Sequence, residues 1–185
     1  MDKSGEEIKS IILDTNIVFS SLVKEEGYTQ AILAILLSQN VIEILSPSTL
    51  KTEIYKHINE ISRKSRVPAN VLKTLINIIF SNIKIIDEKR FKKEIIEAFN
   101  LVTDRKDSPF AGLAIKYSPS IILTYNKKHF HKEKLRKMNV FVFEPKELVK
   151  YFELEIKLEK IVKNRGGNLS LLNKLYDIKR ASRHA

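Results

Sequence analysis

Residues 11–16 read Ile11-Ile12-Leu13-Asp14-Thr15-Asn16, an aliphatic run that ends on a carboxylate. An uninterrupted aliphatic run is typical of a strand that is buried on both faces of a parallel sheet. Ligands of open α/β sheets bind beyond the carboxyl ends of such strands. We therefore predict that Asp14 lies at a functional edge of the sheet. The alternative is that Asp14 only starts a turn or caps a helix.

The composition of the chain predicts one folded domain with a substantial core, because 43% of its 185 residues are hydrophobic. The absence of cysteine excludes disulfides and thiolate zinc sites. Residues 1–10 mix both charges and do not resemble a signal peptide, and no apolar run approaches the roughly 20 residues that span a bilayer. We therefore expect a cytoplasmic location and no contact with a membrane.

The formal net charge of +11 is spread unevenly along the chain. Residues 1–60 carry five basic and nine acidic side chains, residues 61–140 carry 18 and seven, and residues 141–185 carry ten and six. The middle and the end of the chain should therefore attract a polyanion, and nucleic acid is the obvious one. The alternative is a lysine-rich surface that serves only solubility.

Strand-like runs alternate with amphipathic helical segments, which is typical of a parallel α/β sheet. We expect strands at 8–14, 41–46, 82–87, 121–124 and 140–143, and helices at 28–39, 46–62, 68–80, 88–100, 108–117, 128–137 and 144–163. In the helix 46–62, Ser46 should be the N-cap and Pro47 should lie in the first turn. In the helix 88–100, the inward side chains should be Phe91, Ile95, Ile96 and Phe99.

The fold class predicted for the chain is a three-layer α/β/α sandwich with a central, mostly parallel sheet. We assign residues 1–150 to this domain and residues 151–185 to a C-terminal helical extension. The segment Arg165-Gly166-Gly167-Asn168 is a linker signal. The leucines that follow it predict a helix that packs on the domain, on a second subunit or on a partner.

Acidic and amide side chains recur where predicted strands and helices meet. The strand that ends at Asp14 has a counterpart that ends Leu123-Thr124-Tyr125-Asn126. Glu53 lies at the margin of a helix face, where a solvated charge is the simpler interpretation, and Asp104 and Asp107 precede a helix that either could cap. Converging carboxylates repel one another and need a cation or a proton, and hard divalent ions prefer such oxygen ligands.

Four motifs follow one another within residues 8–150: Asp14-Thr15-Asn16, Glu53, Asp104-x-x-Asp107 before Phe110-Ala111-Gly112-Leu113-Ala114, and Leu123-Thr124-Tyr125-Asn126-Lys127-Lys128-His129-Phe130. In order and approximate spacing they resemble the PIN-domain ribonucleases, including the toxin-like stand-alone PIN proteins. The resemblance implies an endoribonuclease that uses Mg²⁺ or Mn²⁺ to cut single-stranded or structured RNA, leaving a 5′-phosphate and a 3′-hydroxyl. Many members are toxins of toxin–antitoxin pairs, so the resemblance also implies an antitoxin protein as a partner. We further expect a homodimer.

The resemblance implies a role for each matching residue. Asp14, Glu53 and Asp107 would be metal ligands and, together with Asp104, catalytic acids. The metal-binding acids would be oriented by hydrogen-bonding neighbours, which are Thr15, Asn16, Thr124 and Asn126. Where the family often has a fourth aspartate this chain has Asn126, which puts a second metal site in doubt because an amide adds no charge.

A basic segment directly follows Asn126 in the sequence. We expect the side chains of Lys127, Lys128, His129 and Lys132 to hold the RNA backbone, because phosphate contacts position a nucleic acid without reading its sequence.

Two other functions are consistent with parts of this pattern. Asn126 and the basic surface favour a catalytically weak RNA-binding module with the same fold. A phospho-acceptor or small-ligand domain also carries aspartate at strand ends. It is disfavoured because the chain has only five glycines and no glycine-rich phosphate loop.

Overall fold

The computed structural model describes residues 8–24, 28–38 and 42–152, and in it five strands form one sheet. The strands are β1 (Ser10–Leu13), β2 (Glu43–Pro47), β3 (Lys84–Ile86), β4 (Ser120–Leu123) and β5 (Val140–Phe143). Their spatial order is β3-β2-β1-β4-β5, and all neighbouring pairs are parallel. Strands β2 and β3 lie on one side of β1, and β4 and β5, which come later in the chain, lie on the other. The crevice between the carboxyl ends of β1 and β4 is therefore the topological switch point, where such sheets bind ligands.

Helices cover both faces of the sheet. They are α1 (Thr15–Val23), α2 (Tyr28–Ser38), α3 (Thr49–Lys56), α4 (Ile58–Ser65), α5 (Ala69–Ser81), α6 (Lys92–Ala98), α7 (Ser108–Lys116), α8 (Lys132–Arg136) and α9 (Pro145–Tyr151). Because side chains alternate along a strand, Ile11 and Leu13 enter one hydrophobic core and Ile12 enters the other. The first core is closed by α1–α5 and α9, and the second by α6–α8. This arrangement confirms the predicted three-layer α/β/α fold.

Helix α1, which begins at Thr15 directly after Asp14, was not predicted from the sequence. Asp14 occupies the N-cap position, and Ile17, Val18 and Leu22 are buried against the sheet at helical spacing. The helix is short and rich in β-branched residues, so its intrinsic propensity is low and packing determines it.

The predicted helix at 46–62 was wrong at its start. Pro47 is the last residue of β2 and pairs with Ile86, while the buried Ser46 hydroxyl donates to the carbonyl oxygen of Leu13 at 2.8 Å. A proline is tolerated at a strand end, and helix α3 begins only at Thr49. The helical segment is also interrupted at His57, which separates α3 from α4.

The predicted inward face of residues 88–100 was wrong for Ile96 and Phe99, which are 63% and 37% exposed. Residues Glu88–Phe91 form a 3₁₀ turn before α6 begins. A 3₁₀ turn has three residues per turn rather than 3.6, so it shifts the phase of the helix that follows. Phe91 and Ala98 are buried instead.

The remaining differences concern where elements begin and end. The predicted basic helix at 128–137 is a 3₁₀ turn at Lys127–His129 followed by α8. The predicted helix 144–163 is described up to Tyr151. The rest of it, the linker signal at 165–168, the leucines beyond and most of the predicted C-terminal extension lie outside the described residues. Within the described ranges, no helix has the length and apolar character to span a bilayer.

Gly112 lies where α7 packs closely against α6. A Cβ atom at this position would lie 2.7 Å from the backbone nitrogen of Ile95 and 2.8 Å from its Cα. Both atoms belong to the backbone and cannot move aside. Only glycine therefore permits this packing of the two helices.

We predict that Gly112→Ala lowers the free energy of unfolding by about 1–3 kcal/mol, because the overpacking outweighs the gain in helix propensity. Thr74→Ala, at an exposed position of α5, is the matched control and should be neutral or stabilising. Urea unfolding of the two variants would measure both changes. A stabilised Gly112→Ala protein would show that the two helices are not in close contact.

Candidate active site

The site is built on the switch point between β1 and β4. The backbone N–H of Asp14 donates to the carbonyl oxygen of Leu123 at 3.1 Å, which continues the pairing of the two strands by one residue. This bond places the Asp14 side chain at the carboxyl edge of the sheet. The residue is only 4% exposed.

Three hydrogen bonds among polar side chains fix the Asp14 carboxylate. Thr124 Oγ1 donates to Asp14 Oδ2 at 2.6 Å, and Asn16 Nδ2 donates to the same oxygen at 2.7 Å. Asn16 Nδ2 also donates to Thr124 Oγ1 at 3.0 Å, and Asn16 Oδ1 accepts from the backbone N–H of Tyr125. Asn16 thus connects the ends of both strands and holds the carboxylate between them.

The electrostatic environment of Asp14 is unfavourable to its charge. Burial, together with the nearby carboxylates of Asp107 and Glu53, raises the pKa of this carboxyl to about 6. The hydrogen bond from Thr124 and the backbone N–H of Asn16 oppose the shift. Of the described groups that act on Asp14 most strongly, two are anions and none is a lysine or arginine. The carboxylate therefore has excess negative charge around it.

Asp107 is held by a histidine from the loop that follows β4. Asp107 Oδ2 lies 2.8 Å from His129 Nδ1, a geometry that suits a proton on Nδ1. Burial raises the pKa of Asp107, His129 lowers it, and Asp104 and Glu53 raise it again, so that the pKa stays above its ordinary value.

A short backbone ladder keeps these two residues facing each other. The N–H of Thr103 donates to the carbonyl oxygen of His129 at 2.8 Å, and the N–H of His131 donates to that of Leu101 at 2.9 Å. Val102 and Phe130 form an antiparallel bridge between these contacts. The ladder joins the segment that leads into Asp107 to the segment that carries His129.

Glu53 reaches the site from α3, where its carboxylate accepts a hydrogen bond from the hydroxyl of Thr15. The start of α3 is fixed by Glu88, a residue that the sequence analysis missed. Glu88 accepts from the backbone N–H of Thr49 at 2.7 Å, from the Thr49 hydroxyl at 2.6 Å, and from the Ser48 hydroxyl. Burial raises the pKa of Glu88, but these bonds outweigh it and leave the pKa below its usual value. The available signal was that two acids, Asp87 and Glu88, follow the predicted third strand.

Asp104 raises the pKa of Asp107, but its own hydrogen bond is a local one. Its exposed carboxylate accepts from the backbone N–H of Lys106 at 3.0 Å and so caps the 3₁₀ turn Arg105–Asp107. Asn126 lies behind Thr124, because the N–H of Asn126 donates to Thr124 Oγ1 at 2.9 Å.

The four basic residues that follow Asn126 have different surroundings. Lys127 is 19% exposed, and its Nζ lies 2.6 Å from Glu147 Oε1 and 3.5 Å from Glu144 Oε1. This ion pair attaches the turn to α9 and raises the pKa of Lys127. His129 is engaged with Asp107. Lys128 and Lys132 are exposed.

The donor set suits a hard divalent cation. It consists of carboxylate oxygens with uncompensated charge, which is the chemistry that Mg²⁺ and Mn²⁺ select. Across the described residues, no group of three or more His, Asp or Glu side chains is arranged so that it could hold a metal ion. Mg²⁺ is usually held by one or two carboxylates, with water and substrate phosphate completing its shell. Asp14 and Asp107 would be the residues to hold it, and Glu53 would have to turn toward the ion to join them.

Comparison with known proteins gives two matches. A family model described as "PIN domain" matches residues 12–140, a span that contains Asp14, Glu53, Asp107 and Asn126. The chain is also 28% identical over 156 residues to "Uncharacterized protein MJ1680" of Methanocaldococcus jannaschii, an alignment that covers 80% of this chain and 95% of that protein. No solved structure matches the chain.

The raised pKa of Asp14 predicts how the stability of the metal-free protein depends on pH. The unfolded chain releases this proton near pH 3.8 and the folded chain near pH 6, so the folded state binds more protons between these values. Stability should therefore fall as the pH rises from about 4 to about 6, by on the order of 2 kcal/mol from this group. Asp14→Asn removes the titration and keeps an oxygen acceptor for Thr124 and Asn16.

Urea unfolding in EDTA at pH 4.5 and pH 7 measures this dependence. Other carboxyls titrate in the same range, so the informative quantity is the difference between wild type and Asp14→Asn. The free energy of unfolding of Asp14→Asn relative to that of wild type should be higher at pH 7 than at pH 4.5. An identical pH dependence in the two proteins would contradict the burial of an ionised Asp14.

The contact between His129 and Asp107 predicts a difference between two amide substitutions. In His129→Asn the amide nitrogen can take the place of Nδ1, whereas in His129→Gln it takes the place of Nε2. We expect His129→Gln to raise the Mn²⁺ concentration for half-maximal thermal stabilisation by about tenfold or more, as loss of a residue that orients a ligand does. His129→Asn should retain most of the wild-type affinity.

Thermal unfolding as a function of Mn²⁺ concentration is the measurement. His131→Gln, at an exposed histidine of the same segment, is the control and should behave as wild type. Equal Mn²⁺ dependence of the Asn and Gln variants of His129 would rule out orientation of Asp107 through Nδ1.

Proposed function

This chain belongs to the PIN-domain family, which indicates a nuclease-type function, and we propose that it is a divalent-metal-dependent endoribonuclease. Its substrate would be a phosphodiester bond of single-stranded or structured RNA. The cofactor would be Mg²⁺ or Mn²⁺, since PIN domains typically use divalent ions.

The observation that supports this proposal most directly is the environment of Asp14. A carboxylate that is 4% exposed stands at the switch point of the sheet, with its pKa raised to about 6 by burial and by two other acids. Such an arrangement costs stability unless a cation or a proton offsets the charge. Perturbed acids grouped in a crevice are typical of functional sites.

The residues around the acids would do the positioning. Thr124 and Asn16 hold Asp14, His129 holds Asp107, and Thr15 holds Glu53, so each carboxylate is oriented before substrate arrives. A bound divalent ion would supply the positive charge that stabilises the phosphodiester transition state.

The charge of the chain supports RNA as the substrate. The net charge of +11 would draw in a polyanion, and Lys128 and Lys132 are exposed close in sequence to Asn126. Lys127 is held by Glu144 and Glu147, so we assign it to fixing the turn rather than to binding phosphate.

A second candidate function is RNA binding with little or no catalysis. Two observations favour it: Asn126 stands where the family often has an aspartate, and no group of three acids or histidines among the described residues is arranged to hold a metal ion. A role as a toxin and an antitoxin partner stay predictions of the resemblance, and the homodimer stays a separate prediction.

We predict that purified protein cleaves labelled RNA internally when Mn²⁺ or Mg²⁺ is added and stops when EDTA removes the metal. Asp14→Asn and Asp107→Asn should each lower kcat/KM by more than about 100-fold. Residues that only orient a metal ligand already cost about 10- to 100-fold when changed, and these two would be ligands themselves.

The matched control is Asp87→Asn, which changes an exposed acid at the end of β3 whose side chain caps the Lys89 N–H. It should retain wild-type activity. If wild type binds RNA but cuts it no faster than Asp14→Asn does, the binding-only function is correct and the nuclease is not.

A further inference from the structure

An exposed aromatic ring stands at the end of α6. Phe99 is 37% exposed, and its neighbour Ile96 is 63% exposed. The guanidinium carbon of Arg105 lies 5.3 Å from the centroid of the Phe99 ring. This cation–π pair orders both side chains and presents two planar groups at the surface.

The packing of α6 against α7 places this pair beside the acidic site. Lys116, the last residue of α7, contacts Glu94 in the first turn of α6 at 3.4 Å. At the other end of the two helices, Arg105 lies over the Phe99 ring. The two contacts together show that the helices are antiparallel, so that Phe99 at the end of α6 is near the start of α7, which Asp107 precedes. Arg105 itself opens the 3₁₀ turn that ends on Asp107.

Lysines flank the pair. Lys106 is exposed next to Arg105, and the Nζ of Lys134 lies 3.4 Å from the carbonyl oxygen of Asn100. The acidic residues nearby in sequence are Glu97, Asp104, Asp107 and Glu133. A ring and a guanidinium flanked by lysines suit a nucleic-acid strand, since aromatic and arginine planes stack on bases while lysines contact phosphate.

We propose that Phe99 and Arg105 form a stacking platform for one unpaired base of the RNA strand that enters the acidic site. The inference rests on the proposed function, because it names a substrate contact of that same site. A base within a duplex already stacks on its neighbours, so the platform would favour single-stranded RNA. It would act on affinity without reading sequence, because every base has a π-face.

The test measures fluorescence anisotropy of a labelled 12-nucleotide single-stranded RNA with the full chain in EDTA, which prevents cleavage. Phe99→Ala should weaken binding by about 5- to 100-fold, the range expected for one stacked base. Phe99→Trp should retain the affinity. Arg105→Lys should weaken it as well, because the charge is kept but the planar group is lost.

Two controls separate stacking from other effects. Ile96→Ala removes a more exposed apolar side chain of the same helix and should leave RNA affinity unchanged. An abasic oligonucleotide of the same length keeps the phosphates without the bases. Wild type should bind it more weakly than RNA, and Phe99→Ala should show a much smaller difference between the two. Circular dichroism would verify that each variant is folded.

The outcomes distinguish the two proposals. If wild type binds single-stranded RNA and Phe99→Ala binds it equally well, the platform is wrong while the proposed function stands. If Ile96→Ala and Phe99→Ala lose affinity equally, the surface acts by apolar contact and the stacking proposal is overturned. If wild type neither binds nor cleaves any RNA, the proposed function fails and the platform with it.

Discussion

The burial of the Asp14 carboxylate is the constraint on which the rest of the site depends. A charge in this position is costly because little water reaches it and two further acids act on it. Thr124 and Asn16 offset part of that cost, and they do so from the ends of the two strands that define the switch point. The sheet order therefore matters chemically: only because β4 lies next to β1 can Thr124 reach Asp14.

The other two acids are held by contacts that arise independently of one another. Glu53 depends on α3, whose start is fixed by Glu88 at the end of β3. Asp107 depends on His129 and on the backbone ladder between the two loops. Each acid thus comes from a different element and has its own anchor. Such anchoring restricts side-chain motion before ligand binds, which is what precise positioning of a substrate requires.

Much of this architecture could be predicted from local sequence. The aliphatic run before Asp14 and its counterpart before Thr124 indicated two buried parallel strands, and the structure places them side by side. The short helix α1 could not be predicted in this way, because packing against the sheet overrides the low helix propensity of its residues. Ser46 and Pro47 form a common helix start, yet they end a strand here. Asp104 and Asp107 look alike in the sequence, and only the contact of Asp107 with His129 distinguishes them. The roles of Glu88 and His129 could not be predicted either, because their hydrogen-bond partners lie 22 or more residues away in the chain.

Asp14 and Asp107 would hold a divalent cation at the switch point, and Glu53 would join them by turning toward it. The decisive measurement is a crystal structure determined with Mn²⁺, in which anomalous scattering locates the metal. We predict an anomalous peak within coordination distance of the Asp14 and Asp107 carboxylates. The Glu53 carboxylate should turn toward this ion, and water should occupy its remaining coordination positions. A peak that avoids Asp14, or a site that stays empty at millimolar Mn²⁺ while the protein is active, would contradict this account.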